Sequence, residues 1–178
     1  MSSEKADEFK LSLTLRIDWS EMDTYNHVNN VNFMKYMQSA RVQFWQVTGL
    51  QDMYNNTKKG PMLVSTKCDF KNPLFFPGNV TIKTRVEFIK NSSFGLHHQL
   101  FNDDNVLCAE GHDVAVCFDF NIDKTFIIPE DLIHIDDRIV KEVSIDHKED
   151  EGGNHTRGIN RVLAFRRSSV AVLPKNAV

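Results

Sequence analysis

The run over residues 31–48 contains neither glycine nor proline and is closed by Gly49. It predicts one helix of about five turns, ended by a glycine cap. Its apolar residues, among them Val31, Phe33, Met37, Ala40, Val42, Phe44 and Trp45, do not keep to one narrow stripe. An apolar surface that wide predicts a helix wrapped by other structure on most sides. Ahead of it stands a polar loop, Asp23-Thr24-Tyr25-Asn26-His27-Val28-Asn29-Asn30, with one carboxylate, one imidazole and several amides. A helix N-terminus carries unpaired N–H groups and a partial positive charge, so it stabilises an anion. A carboxylate leading into such an end suits catalysis, and suits capping equally well.

What wraps the helix is read from the rest of the chain. Leu11, Leu13, Leu15, Ile17 and Trp19 alternate strictly with polar residues, the period of a strand. Residues 50–60 read as a connection holding at most a short helical turn. Residues 62–70 then form a strand ended by Asn72-Pro73, and Pro77-Gly78 makes a turn. Val80, Ile82, Thr84, Val86 and Phe88 alternate with Thr81, Lys83, Arg85 and Glu87. Asn91-Ser92-Ser93 is a turn, 94–101 a strand, Asn102-Asp103-Asp104-Asn105 a hairpin tip, and 106–120 the last strand, with Gly111 as a bulge. A strand, a long helix and four more strands on short connections predict antiparallel neighbours. The fold class expected is α+β, a five-stranded antiparallel sheet curled around one long central helix over about residues 11–135, behind an N-terminal tail of residues 1–10. Such a sheet leaves edges bare, so two copies, or four, are expected to join through it.

The 178 residues are 41% apolar, enough for one domain with a core of its own. A formal net charge of −3 argues against non-specific nucleic-acid binding, which runs on excess Lys and Arg. No apolar run approaches the ~20 residues that span a bilayer. The first residues are polar and acidic, unlike a secretion signal or an Arg-rich transit peptide, and the final Asn-Ala-Val is not a peroxisomal tripeptide. Cys68, Cys108 and Cys117 are an odd number set in apolar segments, which predicts buried thiols in a reducing compartment. The cytoplasm is expected, with an organelle matrix left open. No close Cys or His pairing suggests a metal, and His97 and His98, adjacent in a strand, point to opposite faces. Residues 136–178 differ in character: beyond Gly152-Gly153 they carry Arg157, Arg161, Arg166, Arg167 and Lys175 and no acid. That extension is either mobile or partner-binding.

Asp23-x-x-x-His27-Val28-Asn29-Asn30, placed between a strand and a long helix, resembles the hotdog-fold acyl-CoA thioesterases of the 4-hydroxybenzoyl-CoA thioesterase type. Met62-Leu63-Val64-Ser65 with Asp69-Phe70 and Asn72-Pro73, the Pro77-Gly78-Asn79 turn, Lys90-Asn91-Ser92-Ser93-Phe94 and Ala109-Glu110-Gly111 extend the likeness over about residues 11–130. The resemblance implies a helix held inside a curled sheet, subunits joined edge to edge, and active sites between them. It implies Asp23 as catalytic carboxylate, Asn30 as a main-chain donor to the thioester oxygen, and Lys90 near the phosphates of coenzyme A. It implies no cofactor beyond coenzyme A as part of the substrate. Plant acyl-carrier-protein thioesterases share the motif but place an Asn where this chain has Tyr25, and there the His also works.

The chemistry fits that set. Thioester hydrolysis moves negative charge onto the carbonyl oxygen, where one fixed donor is worth ~3 kcal/mol of barrier. The departing thiol has a pKa of about 8.5, so it leaves as thiolate without a strong general acid. One carboxylate therefore suffices, attacking the carbonyl or activating water. Asp23 is that acid, or else a loop-ordering cap. His27 either orients the acyl group or Asp23, or bonds loop backbone. Asn29 and Asn30 are structural as side chains, Asn30 acting through its main chain. Ser65, Ser93 and Phe94 belong to strands facing the thioester or pantetheine arm, or else solvent and neighbouring strands. Phe75 and Phe76 either line a pocket or pack at a turn. A hotdog dehydratase is disfavoured, since no His-x-x-x-Glu-Pro-Gly string occurs, while a non-catalytic acyl-CoA-binding subunit of a larger assembly stays open.

Overall fold

The computed structural model describes residues 9–130, and the element order expected from the sequence runs through it. β1 (Leu11–Arg16) leads through a 3₁₀ turn (Trp19–Glu21) to α1 (Asn30–Val47), followed by α2 (Leu50–Thr57). β2 (Lys59–Phe70), β3 (Asn79–Ile89), β4 (Ser93–Phe101), β5 (Leu107–Asp119) and the two-residue β6 (Lys124–Thr125) complete the chain described. The five long strands form one antiparallel sheet in the order β1-β3-β4-β5-β2, with β6 added on β5. The extension over 136–178 and its division from the domain lie outside the described residues.

Strict alternation makes the sheet two-faced. On β5, Ala109, Gly111, Asp113, Ala115 and Cys117 are buried, while Glu110, His112, Val114 and Val116 are half-exposed. Gly111 is not the bulge expected of it: it pairs with His98 and Cys68 in unbroken register. Its missing Cβ has another cause, because the Met37 side chain of α1 fills the space a Cβ would need. The register shifts instead between Leu63 and Ser65 on β2, between Val86 and Phe88 on β3, and between Leu100 and Phe101, where Cys108 is the extra residue on β5. The second turns Phe88 to the outer face, opposite Gly95, where the absence of a Cβ lets its ring lie flat against the strand.

α1 lies against the inner face through Phe33, Tyr36, Met37, Ala40 and Phe44. Its apolar surface is wider than what the sheet covers, since Val31 is 59% exposed and Val42 41%. Gly49 closes it as expected, at φ 77°, and the chain restarts at once as α2, which seats Leu50 in the core. Trp19 departs from the alternation of β1: the strand ends at Arg16, and Trp19 sits 73% exposed in the 3₁₀ turn.

Two apolar clusters fill the space between α1 and the sheet. One gathers Phe33, Met37, Val80, Ile82, Leu100 and Ala109, and the other Phe44, Leu50, Phe94, Leu96, Ala115 and Cys117. The inward positions between them are polar. Thr84, His98 and Asp113, on three adjacent strands, are each no more than 1% exposed. Thr84 Oγ1 lies 2.8 Å from His98 Nδ1, His98 Nε2 lies 2.9 Å from Asp113 Oδ2, and Arg41 of α1 donates to that oxygen at 2.6 Å. The free cysteines are buried at Cys108 and Cys117 and half-buried at Cys68.

Candidate active site

The loop before α1 is folded by its own polar groups. Asp23 N donates to His27 O at 2.7 Å, and Asp23 Oδ1 accepts from Tyr25 N at 2.8 Å and His27 N at 3.2 Å. Asn26 takes the left-handed conformation, φ 60°, that lets the loop close on itself. Among the described residues no hydrogen bond reaches Asp23 Oδ2. Asn29 caps α1 by accepting from Val31 N at 3.0 Å, and nothing described accepts from the main-chain N–H of Asn30.

Glu21, the other acid of this loop, is bonded through one carboxylate oxygen and through its carbonyl. It completes a capping box with Asp18, and its Oε2 accepts from Tyr36 at 2.6 Å. Burial and the adjoining carboxylate push the Tyr36 hydroxyl far above its ordinary pKa, so it remains a donor. The Glu21 carbonyl takes both Asn29 N and Asn32 Nδ2, which ties the 3₁₀ turn to the first turn of α1. Glu21 thus positions the helix mouth through Oε2 and its carbonyl, and of the two acids it is Asp23 that lines the cleft there.

Both ends of that arrangement open on one cleft of about 320 Å³, lined by Asp23, His27, Val28, Asn30, Phe33, Phe70, Lys71, Asn72 and Pro73. The chain after β2 reaches it because Val28 N donates to Leu74 O at 2.9 Å. The His27 backbone shapes the loop, while its ring lies edge-on to Phe75 at 5.3 Å. Phe75 is 51% exposed, whereas Phe76 packs on the core, so the two halves of that pair take different roles. Lys71 was not singled out by sequence reasoning; it lines the cleft with its ammonium 2.9 Å from Glu110. Burial, with smaller contributions from Asp69 and Asp113, pushes the Cys68 thiol up to about 11, so it offers no thiolate at neutral pH.

The other expected binding residues stand apart from this cleft. Lys90 and Ser93 flank the turn at the far end of β3, roughly 30 Å along the strand from Asn79. The Lys90 ammonium lies 5.0 Å from the Phe88 ring centre. Ser93 pairs with Val116 and Ser65 with Val114, and cross-strand partners share a face, which here is the outer one. Phe94 is 2% exposed in the core beside Phe44 and Trp45, so it serves packing and not ligand contact.

The sequence over residues 17–135 matches the thioesterase-like superfamily. The chain belongs to that family. This thioesterase superimposes on solved structures of the same hotdog fold. Gentisyl-coenzyme A thioesterase BH1999 is 27% identical, covering 68% of this chain and 98% of its own, with a TM-score of 0.62. The PA5185 protein of Pseudomonas aeruginosa is 26% identical, covering 70% and 87%, with a TM-score of 0.63. The DHNA-CoA thioesterase of Staphylococcus aureus, 16% identical over 78% and 93% with a TM-score of 0.63, shows the fold alone. No protein of curated function matches by sequence. The family makes the protein a thioester hydrolase, as the Asp23 motif implied. Among the described residues no helix is long and apolar enough to cross a membrane, and no group of three or more His, Cys, Asp and Glu is arranged to hold a metal ion.

Proposed function

We propose that the protein hydrolyses acyl-CoA thioesters to the free acid and coenzyme A. The observation that carries this reading is the pairing, at one cleft, of a carboxylate with an unshared oxygen and a helix N-terminus with an unpaired N–H. The thioester carbonyl lies with its oxygen toward Asn30 N–H, where the helix field stabilises the developing charge. Asp23 attacks the carbonyl carbon or takes a proton from the attacking water, and coenzyme A leaves as thiolate. His27 holds the loop that aims Asp23. The relative named for gentisyl-coenzyme A supports coenzyme A as the thiol carrier. Release of free thiol from short, long and aryl acyl-CoAs tests the proposal. Binding of coenzyme A without turnover of any ester replaces it with a non-catalytic acyl-CoA-binding role.

The catalytic unit in this reading is residues 11–135, working as a homodimer, with 136–178 as an extension that meets a partner. β2 is the edge strand beyond β5, and it is exposed from residue 63 to 67, including Val64 at 52%. An exposed edge of that kind pairs with a second copy. Antiparallel pairing centred on 63–67 lays the Met62 end of one strand beside the Phe70 end of the other. Met62 aligns through Val116 with Ser93, so Lys90 and Ser93 of the second copy approach this cleft and its CoA phosphates. Sedimentation is expected to give twice the chain mass for the native protein. Val64→Lys, a charge on the edge, is expected to give the monomer with at least about tenfold lower turnover.

A further inference from the structure

The cleft reaches Phe33 of α1 and Phe70 of β2 and no residue deeper along either element, and the residues at that end bear on which acyl groups enter. Phe33 and Phe70 both line it, and their rings meet edge to face at 5.2 Å and 83°. Phe33 belongs to the second turn of α1 and is 4% exposed, so the core fixes its ring. Phe70 ends β2, pairs with Ala109 and therefore faces inward, yet remains 52% exposed. Past this pair, one turn along α1, comes Met37, and two residues back along β2 comes Cys68. Neither lines the cleft. The Met37 side chain already occupies the hollow over Gly111, between α1 and the sheet.

We infer that the Phe33–Phe70 contact is the floor of the acyl site and limits this thioesterase to compact acyl groups, a short chain or one ring, with Phe70 as the residue that decides it. The inference rests on the acyl-CoA reading above. Phe70 is the adjustable half of the pair: it is half exposed in the single chain, and among the described residues the ring against it is that of Phe33, edge to face. An alanine there opens the cleft along the inner face of β2 toward Cys68 and Met37, the flexible thioether giving way to a longer chain.

The test is a ladder of S-alkyl-CoA thioethers, which bind without being hydrolysed, run beside the turnover assay. The native protein is expected to bind S-butyl- and S-benzyl-CoA at least about tenfold more tightly than S-dodecyl-CoA, although each added methylene is more apolar. Phe70→Ala is expected to tighten S-dodecyl-CoA by about tenfold and leave S-butyl-CoA within about threefold. Phe70→Trp is expected to weaken S-benzyl-CoA by about tenfold while leaving coenzyme A itself unchanged. A ladder that rises steadily with chain length in the native protein, or that ignores both substitutions, overturns the floor while turnover leaves the hydrolase reading intact. No binding by any thioether, together with no turnover of any ester, overturns the hydrolase reading and the floor together. Phe70 is exposed, so both variants are expected to fold as the native chain does.

Discussion

Asp23→Asn is expected to lower kcat by about 10²–10⁴-fold, the range a lost general base or nucleophile commands, with coenzyme A affinity unchanged. The choice of asparagine matters. Asp23 Oδ1 accepts from Tyr25 N and His27 N, and these bonds hold the loop that leads into α1. An amide oxygen keeps both bonds and removes only the charge and the basicity. Alanine removes the bonds as well, leaving two loop N–H groups without that partner. It is therefore expected to raise KM and lower kcat together, where asparagine lowers kcat alone. Glu21→Gln is the control for nearby charge, because Glu21 is spent on the 3₁₀ cap and Tyr36. Near-native turnover by Asp23→Asn, with the loop intact, removes Asp23 from the chemistry. Loss on Glu21→Gln equal to that of Asp23→Asn points to the helix mouth's geometry in its place.

The fold was legible wherever one face of an element meets the core. Leu11 to Leu15 and Val80 to Val86 alternate because every second residue is inward, so strand and face are read together. Phe88 broke the reading because an apolar ring suits either face once a bulge intervenes, and no local residue announces that bulge. Gly111 carries the composition of a bulge, but its cause is Met37, about seventy residues away in the chain and invisible from either position alone. α2 hid behind Asn-Asn and Lys-Lys, polar residues that face solvent while Leu50 turns inward. That Asp23, His27 and Asn30 lie together was legible because eight contiguous residues fold on themselves. Phe70, Lys71 and Pro73 complete the cleft through tertiary contacts such as Val28 N to Leu74 O, which no spacing encodes. The remoteness of Lys90 and Ser93 is likewise a matter of sheet length, settled by register rather than by motif.

The polar belt inside the sheet carries the largest expected effect on stability. Asp113 is 1% exposed, and burial pushes its carboxyl up. Hydrogen bonds from His98, Thr66 and Arg41 outweigh that and hold it below the ordinary carboxylate value. Arg41 Nη1 and His98 Nε2 both meet Oδ2, while Oδ1 finds no partner among the described residues. Arg41→Met keeps the length of the side chain but leaves the carboxylate buried without its cation. Breaking a buried pair in this way costs about 3–5 kcal/mol. For a domain of this size the melting temperature is then expected to fall on the order of 10 °C. The pH dependence follows in sign. A carboxyl held lower in the folded chain than in the unfolded one contributes stability above its unfolded value, and that stability is lost as pH falls through the folded one. Without Arg41 the folded value rises, so acid unfolding is expected to begin at higher pH than in the native protein. Adding Asp113→Asn removes the charge that Arg41→Met stranded, and the double variant is expected to recover part of the loss. Additive losses in that cycle, with no shift in the acid midpoint, would show that Arg41 and Asp113 are not energetically coupled.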